Sequence, residues 1–263
     1  MVNFAVPVSL PFKLTESSVV AIIPARYHST RLPAKALADL AGRPMIEHVY
    51  RRASEARLVD AVLVATDDER IVRAVEAFGG VACLTRADHR TGTDRLAEVA
   101  AFLTCGIVVN IQGDEPLIDP AVIDAVVRPL LDDRAVAIGT ACRPCRSAEE
   151  FTNPNVVKVV RDARGGALYF SRAPIPCLRA APGGLPAMAR VHVGLYAYRR
   201  DALLRLAALP PADAEVVESL EQLRALANGM AIHVVDTNHE SIGVDTPDDL
   251  ARVRLRLLTA VRT

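Results

Sequence analysis

The sequence predicts an α/β fold built on a doubly wound, mostly parallel sheet. Three observations carry this reading. Apolar runs of strand length alternate with helical patterns through the first half of the chain. One run, Ile107-Val108-Val109, is apolar throughout, as in a strand buried on both faces. The runs also end in polar loops ahead of helices, where α/β proteins bind anions.

Taken in order, Val19–Pro24 is an apolar run stopped by a proline and reads as the first strand. Gly42 and Pro44 then lead into a helical pattern over Met45–Arg57. The alternation continues with a strand over Ala61–Thr66, a helix over Glu69–Phe78, a strand over Val81–Leu84 and a helix over Asp94–Thr104. It closes with a strand over Ile107–Ile111, a helix over Pro120–Leu131 and a strand over Ala135–Ala141. The second half is less regular. Val156–Arg161 and Ala167–Phe170, joined through Gly165-Gly166, read as a hairpin. Arg179 to Arg190 is rich in Ala, Pro and Gly and reads as a mobile loop. His192–Tyr198 and Ile232–Val235 are strand patterns, and Glu215–Ala227 is an amphipathic helix stopped by Asn228-Gly229. The last helix spans Pro247–Leu258, with Pro247 at its first position and Thr246 as its cap.

The 263 residues, half of them hydrophobic, suffice for one large domain, or for one domain with a smaller lobe. Residues 1–18 lack a basic stretch, are interrupted by Pro7 and Pro11, and read as a poorly ordered extension rather than a signal peptide. No apolar run is long enough to span a bilayer, so no membrane association is expected. The formal net charge is zero, which argues against nucleic acid as a partner. Five cysteines form no disulfide framework and read as reduced thiols in the cytoplasm. Cys142-Arg143-Pro144-Cys145 has no second pair, and structural thiols are the favoured reading over zinc or redox chemistry.

Chemistry is carried first by the loop after Pro24. It holds Arg26, Ser29, Thr30, Arg31 and Lys35, a cationic segment between strand and helix. The chain has 31 basic residues, of which only Lys13, Lys35 and Lys158 are lysines. A lysine in this loop therefore points to a compact charge on a phosphate. Asp114, in Gln112-Gly113-Asp114-Glu115-Pro116, falls just past the Ile107–Ile111 strand. It is either a Mg²⁺ ligand or part of a turn. Asp245 either answers a helix dipole or folds back to join Asp114. The segment Thr85 to Arg95, with Arg86, Thr91, Gly92 and Thr93, either reads a nucleotide or caps a helix. His192 reads as a core histidine, and Glu218, Glu221 and Gln222 as a solvated helical face. The dinucleotide G-x-G-x-x-G, the P-loop, H-E-x-x-H and G-x-S-x-G are all absent.

Together, IIPARYHSTRLPAK, VATDDERI, TRADHRTGTDRL, VNIQGDEP, NPNVVKVV, ALYFSRAPIP, HVGLYAYR, LEQLRAL and GVDTPDDL resemble the 3-deoxy-manno-octulosonate (Kdo) cytidylyltransferases of Gram-negative bacteria. The resemblance runs from about Val19 to Arg254. It implies a Rossmann-like nucleotidyltransferase domain over 19–263, with a mixed insertion at about 151–200 for sugar binding and dimerisation. The implied reaction joins CTP and Kdo to give CMP-Kdo and pyrophosphate, for lipopolysaccharide biosynthesis, in a Mg²⁺-dependent cytoplasmic homodimer. Carried over by position, Arg26, Lys35, Asp114 and Asp245 are the catalytic set. Pro24, Ala25, Arg26, Lys35, Arg86, Thr91, Gly92, Thr93 and Asp114 bind the nucleotide. Arg31, Gln112, His192, Tyr196, Glu221 and Gln222 line the acid-sugar pocket. Asp114 and Asp245 are the metal ligands. A sialic acid or an amino-Kdo variant is the alternative sugar, and a silent nucleotide-binding protein the alternative class. The chain departs from the family at Ala34, where glycine is common and where an alanine fits at negative φ. It departs again at Val191, where arginine is common.

Overall fold

The computed structural model describes residues 11–28, 32–181, 184–240 and 242–260. The chain divides into two compact units, residues 1–124 with 241–263, and residues 125–240. β-Pairing among its own strands holds the second unit together.

The first unit carries β1 (Val19–Ala25), the short pair β2 (Asp39–Leu40) and β3 (Arg43–Pro44), and α1 (Met45–Ser54). It continues with β4 (Ala61–Thr66), α2 (Glu69–Ala77), β5 (Ala82–Leu84), α3 (Gly92–Phe102) and β6 (Ile107–Asn110). Strand β1 pairs in parallel with both β4 and β6, and β4 with β5. Every residue of β4 and β6 is buried, as unbroken apolar runs require. Helix α1 stops short of the expected Arg57. There the Asp124 carboxylate accepts the amides of Arg57 and Leu58 at 3.1 and 2.9 Å, so the chain turns out of the helix. Helix α3 begins earlier than predicted because Thr91 caps it in a reciprocal box with Asp94.

The poorly ordered extension expected over 1–18 needs correcting where it is described. Thr15 and Ser18 close a turn, with amide bonds of 3.0 and 2.9 Å, and Ser18 is buried. A side chain at Gly106 would strike the Glu16 carbonyl, at 2.2 Å from an added Cβ. Residues 1–10 lie outside the described residues.

After α4 (Pro120–Asp132), the second unit holds β7 (Ile138–Pro144), α5 (Ala148–Thr152), β8 (Lys158–Arg161), β9 (Ala167–Ser171) and β10 (Arg190–Arg199). It ends with α6 (Arg200–Ala208), α7 (Asp213–Glu218), α8 (Gln222–Ala227) and β11 (Ile232–Asp236). Strand β10 is antiparallel to β7, and β11 is parallel to it. Strand β7 begins later than expected because Asp133 turns the chain, accepting the Ala135 amide at 2.8 Å. The predicted hairpin is present as antiparallel β8–β9, with Gly165 at φ 86°.

The single helix predicted over Glu215–Ala227 is broken in two. Ser219 stands in the left-handed region at φ 52°, between α7 and α8. The break is held by tertiary bonds. The Glu218 carboxylate accepts Ser171 Oγ at 2.6 Å and the Arg172 amide at 2.9 Å, while the Glu218 carbonyl accepts Arg172 Nε at 2.7 Å. Glu218 is therefore an anchor and not part of a solvated face.

The last helix, α9 (Pro247–Ala260), belongs to the first unit. Thr246 caps it as predicted, exchanging bonds with Asp249. Val253 of α9 packs with Leu40, Met45 and Val244 in one apolar cluster. That packing fixes the segment carrying Asp245.

Candidate active site

In the first unit, the carboxyl end of β1 opens into a cleft. It is lined by Pro24, Ala25, Arg26, Lys35, Ala36, Met45, Gln112, Gly113 and Asp114. Six of these are predicted site residues: Pro24, Ala25, Arg26, Lys35, Gln112 and Asp114. Gln112, expected in the sugar pocket, lines this same cleft. Gly113 must be glycine, because an added Cβ would lie 2.8 Å from the Pro24 carbonyl. That close approach brings the loop after β6 against the end of β1.

Lys35 opens a short 3-10 turn, and its Nζ lies 2.6 Å from Asp114 Oδ2 and 3.0 Å from Asp245 Oδ1. The two carboxylates meet because the Val244 amide donates to the Asp114 carbonyl at 2.9 Å. The Asp245 amide is held in turn by Asp249. Burial works against the Lys35 charge, but Asp114 and then Asp245 outweigh it and raise the lysine's pKa above its ordinary value. Of the two readings open for each acid, the geometry favours a shared site over an isolated turn and an isolated helix start.

Ala34 corrects an expectation. It stands at φ 53°, ψ 33°, in the left-handed region that an alanine enters at a cost of about 1–2 kcal/mol. The turn that aims Lys35 inward imposes this conformation.

Arg26 donates from Nη2 to the His89 carbonyl at 2.8 Å, tying the first loop to the segment before α3. That segment is clipped from below by Glu98, which accepts the Arg86 amide at 3.1 Å and contacts His89 Nε2. The Arg86 guanidinium lies on Asp88 at 2.8 and 2.9 Å. Thr91 is the helix cap, Gly92 packs on Pro24, and Thr93 is buried. Arg95 and Asp67 form an ion pair of 3.0 Å, the arginine being fully buried. Sequence reasoning missed that pair. Its signal was an arginine within the apolar pattern of α3. Arg31 lies outside the described residues.

The second unit holds four more of the predicted sugar set, His192 and Tyr196 on β10 with Glu221 and Gln222 at the start of α8. His192 Nε2 lies 3.0 Å from Thr140 Oγ1, which also lies 2.8 Å from the Leu195 carbonyl. A hydroxyl that donates to the carbonyl must accept from the ring, so Nε2 carries the proton. Phe170 meets the His192 ring edge-on at 5.0 Å, and Tyr196 packs at 5.3 Å. Burial among these rings pushes the His192 pKa down to about 3. Among the described residues the buried Tyr196 hydroxyl has no hydrogen-bond partner. Glu221 precedes α8, and its charge acts on Tyr196 and Tyr198. Gln222 is the first residue of α8.

The sequence assigns no role to Lys158. Fully buried, its Nζ donates to the carbonyls of Asn153, Val156 and Arg172 at 2.9, 2.5 and 2.6 Å. A lysine between valines in a strand was its signal. Cys142 is buried and its thiol is pushed up to about 11 by that burial, which makes it inert.

The profile described as "Cytidylyltransferase" matches residues 20–232. The 3-deoxy-manno-octulosonate cytidylyltransferase of Geobacter sulfurreducens is 55% identical, over 91% of this chain and 99% of its own. The chain belongs to the 3-deoxy-manno-octulosonate cytidylyltransferase family. The relative from Solibacter usitatus, with the same name, is 52% identical over 89% of this chain and 92% of its own. A solved CMP:2-keto-3-deoxy-manno-octonic acid synthetase, complexed with CTP, aligns with a TM-score of 0.87 and 46% identity. That alignment covers 93% of this chain and all of the other. The 4-diphosphocytidyl-2C-methyl-D-erythritol synthase of Anaerococcus prevotii shares only the fold, at 15% identity and a TM-score of 0.60. The Kdo cytidylyltransferase family thus accounts for the mostly parallel α/β architecture predicted from the sequence.

Proposed function

We propose that the chain transfers CMP from CTP to the anomeric hydroxyl of Kdo, giving CMP-Kdo and pyrophosphate, for lipopolysaccharide biosynthesis. The observation that carries this reading is the convergence of Lys35, Asp114 and Asp245 in a chain of this family. The anomeric oxygen attacks the α-phosphorus in line. A phosphorus–oxygen bond forms, the bond to pyrophosphate breaks, and the proton of the hydroxyl passes to solvent water. Catalysis of this kind is mostly positioning and electrostatic stabilisation. Arg26 and Lys35 are the cations assigned to the phosphates, and the Arg86 to Thr93 segment is assigned to the cytidine.

Mg²⁺ fits the donor set. Two carboxylates on one point leave further positions for phosphate oxygens and water, the usual Mg²⁺ arrangement. Among the described residues no group of three or more His, Cys, Asp or Glu could hold a metal, so an ion here would rely on substrate oxygens. When bound, the ion supplies charge stabilisation to the triphosphate and its leaving group.

The sugar set is assigned to His192, Tyr196, Glu221 and Gln222, with Gln112 on the nucleotide cleft. The buried Tyr196 hydroxyl, without a hydrogen-bond partner among the described residues, supports a polyhydroxylated ligand. A homodimer is proposed on the exposed apolar side chains of Leu168, Tyr169, Val216 and Val217 in the second unit. Sedimentation of the purified protein checks it. Among the described residues no helix is long and apolar enough to cross a membrane, and all five cysteines are free, which supports a reducing compartment such as the cytoplasm.

The test is pyrophosphate release with Mg²⁺, each of CTP, UTP, ATP and GTP, and Kdo or N-acetylneuraminate. Release with CTP and Kdo alone is the expected result. Release only with another acid sugar would overturn the substrate, and silence with every pair would overturn the activity.

A further inference from the structure

We infer that Lys35 is an internal counter-cation that holds Asp114 and Asp245 against divalent metal until nucleotide phosphates draw its ammonium away. The inference rests on the metal reading of those two acids and adds an order to the site: metal binds well only together with nucleotide.

The argument is geometric first. Nζ of Lys35 lies within hydrogen-bond distance of one oxygen from each carboxylate, at 2.6 and 3.0 Å. It occupies the point on which the two converge. A Mg²⁺ or Mn²⁺ ion coordinating both oxygens would need that point, at metal–oxygen distances of roughly 2.1 Å. The acids themselves are held in place, because the Val244 amide ties their two segments through the Asp114 carbonyl. The lysine side chain is the part free to move, on a flexible four-carbon stem.

Charge points the same way. Two carboxylates alone would present a charge of −2 to an incoming cation. With Lys35 on both, they present −1. Nucleotide phosphates offer the ammonium a more negative partner in the same cleft, next to Arg26. Each ligand then improves the other's affinity by one common factor, as linkage requires, on the order of 5–150-fold.

The experiment titrates Mn²⁺, read by electron paramagnetic resonance, into wild type, Lys35→Gln, Lys35→Met, Lys35→Arg and Asp114→Asn, without nucleotide. Thermal melts check that each variant folds. Both neutral variants should bind Mn²⁺ at least about fivefold tighter than wild type. Lys35→Arg should stay near wild type, and Asp114→Asn should lose binding. A second readout needs no gain of binding. The ratio of CTP affinities with and without Mn²⁺, by calorimetry, should be larger for wild type than for Lys35→Gln. Chelation of the ion by free CTP affects both proteins equally and cancels in this comparison. Unchanged Mn²⁺ affinity in the neutral variants, with binding still lost in Asp114→Asn, overturns the role of Lys35 and leaves the metal site standing. No Mn²⁺ on any of the proteins, with CTP or without, overturns both.

Discussion

The backbone amide of Val244 donates to the carbonyl of Asp114 at 2.9 Å, and this bond joins the loop after β6 to the segment before α9. Through it Asp245 comes beside Asp114, and Lys35 reaches both.

The first prediction concerns those acids. Asp114→Ala and Asp245→Ala should each lower kcat by at least ~10²-fold, the scale of losing one preorganised charge. Because the two act on one centre, the double variant should fall little further than either single one. Steady-state pyrophosphate release checks both points. Near-normal turnover in either single variant would remove that acid from the site.

Ala34 stores strain at the entrance to the Lys35 turn, at φ 53°. Ala34→Gly relieves about 1–2 kcal/mol in the folded chain. It also frees the unfolded chain, at a cost of about 0.4–1 kcal/mol. The net gain should be about 0.5–1 kcal/mol, or roughly 2 °C in Tm for a chain of this size. A melting curve that moves down instead would show that the surrounding loop favours the alanine.

His192 is held neutral, with a pKa near 3. Its folded pKa lies below the ordinary value of about 6.5. The stability it contributes is therefore complete above that value and declines as pH falls from about 6.5 toward 3. Its ring proton resonances should not titrate between pH 5 and 8, roughly the window where an unperturbed imidazole changes charge. A titration near 6.5 in the NMR spectrum would mean the ring is solvated and able to meet an acid sugar as a cation.

Glu215 and Arg224 form a buried ion pair, with Nε 2.8 Å from Oε2 and a second bond from Nη2. Burial alone would raise the Glu215 pKa, but Arg224 holds it below the ordinary carboxylate range. Its contribution is present above that range and is lost as pH falls through the lowered folded pKa. Arg224→Met should cost about 3–5 kcal/mol at neutral pH, since it leaves an uncompensated buried carboxylate. The variant should recover stability as pH falls and Glu215 protonates, opposite in sign to the wild-type pair. Denaturant midpoints across pH 4 to 8, about the range of carboxylate effects, decide it.

Much of the first unit was legible in the sequence because its signals are local. The run Val19–Pro24 and the unbroken apolar strand at Ile107 announce buried parallel strands whatever surrounds them. The motif around Lys35 and the Gly113-Asp114 turn name their own chemistry. Element ends were less legible. Where α1 stops depends on Asp124, far along the chain. The break at Ser219 was not legible at all, because a helical pattern runs straight through it. Only the pull of Ser171 and Arg172 on Glu218 opens it.

The class of fold, the family and the residue types at the site are readable along the chain, because periodicity, turn chemistry and motif are properties of neighbouring residues. That Lys35 rests on both carboxylates, that Ala34 carries positive φ, and that Lys158 and Arg95 are buried cations emerged with the folded chain. Each of these depends on groups distant in the chain meeting at bonding distance, and no local pattern encodes such a meeting.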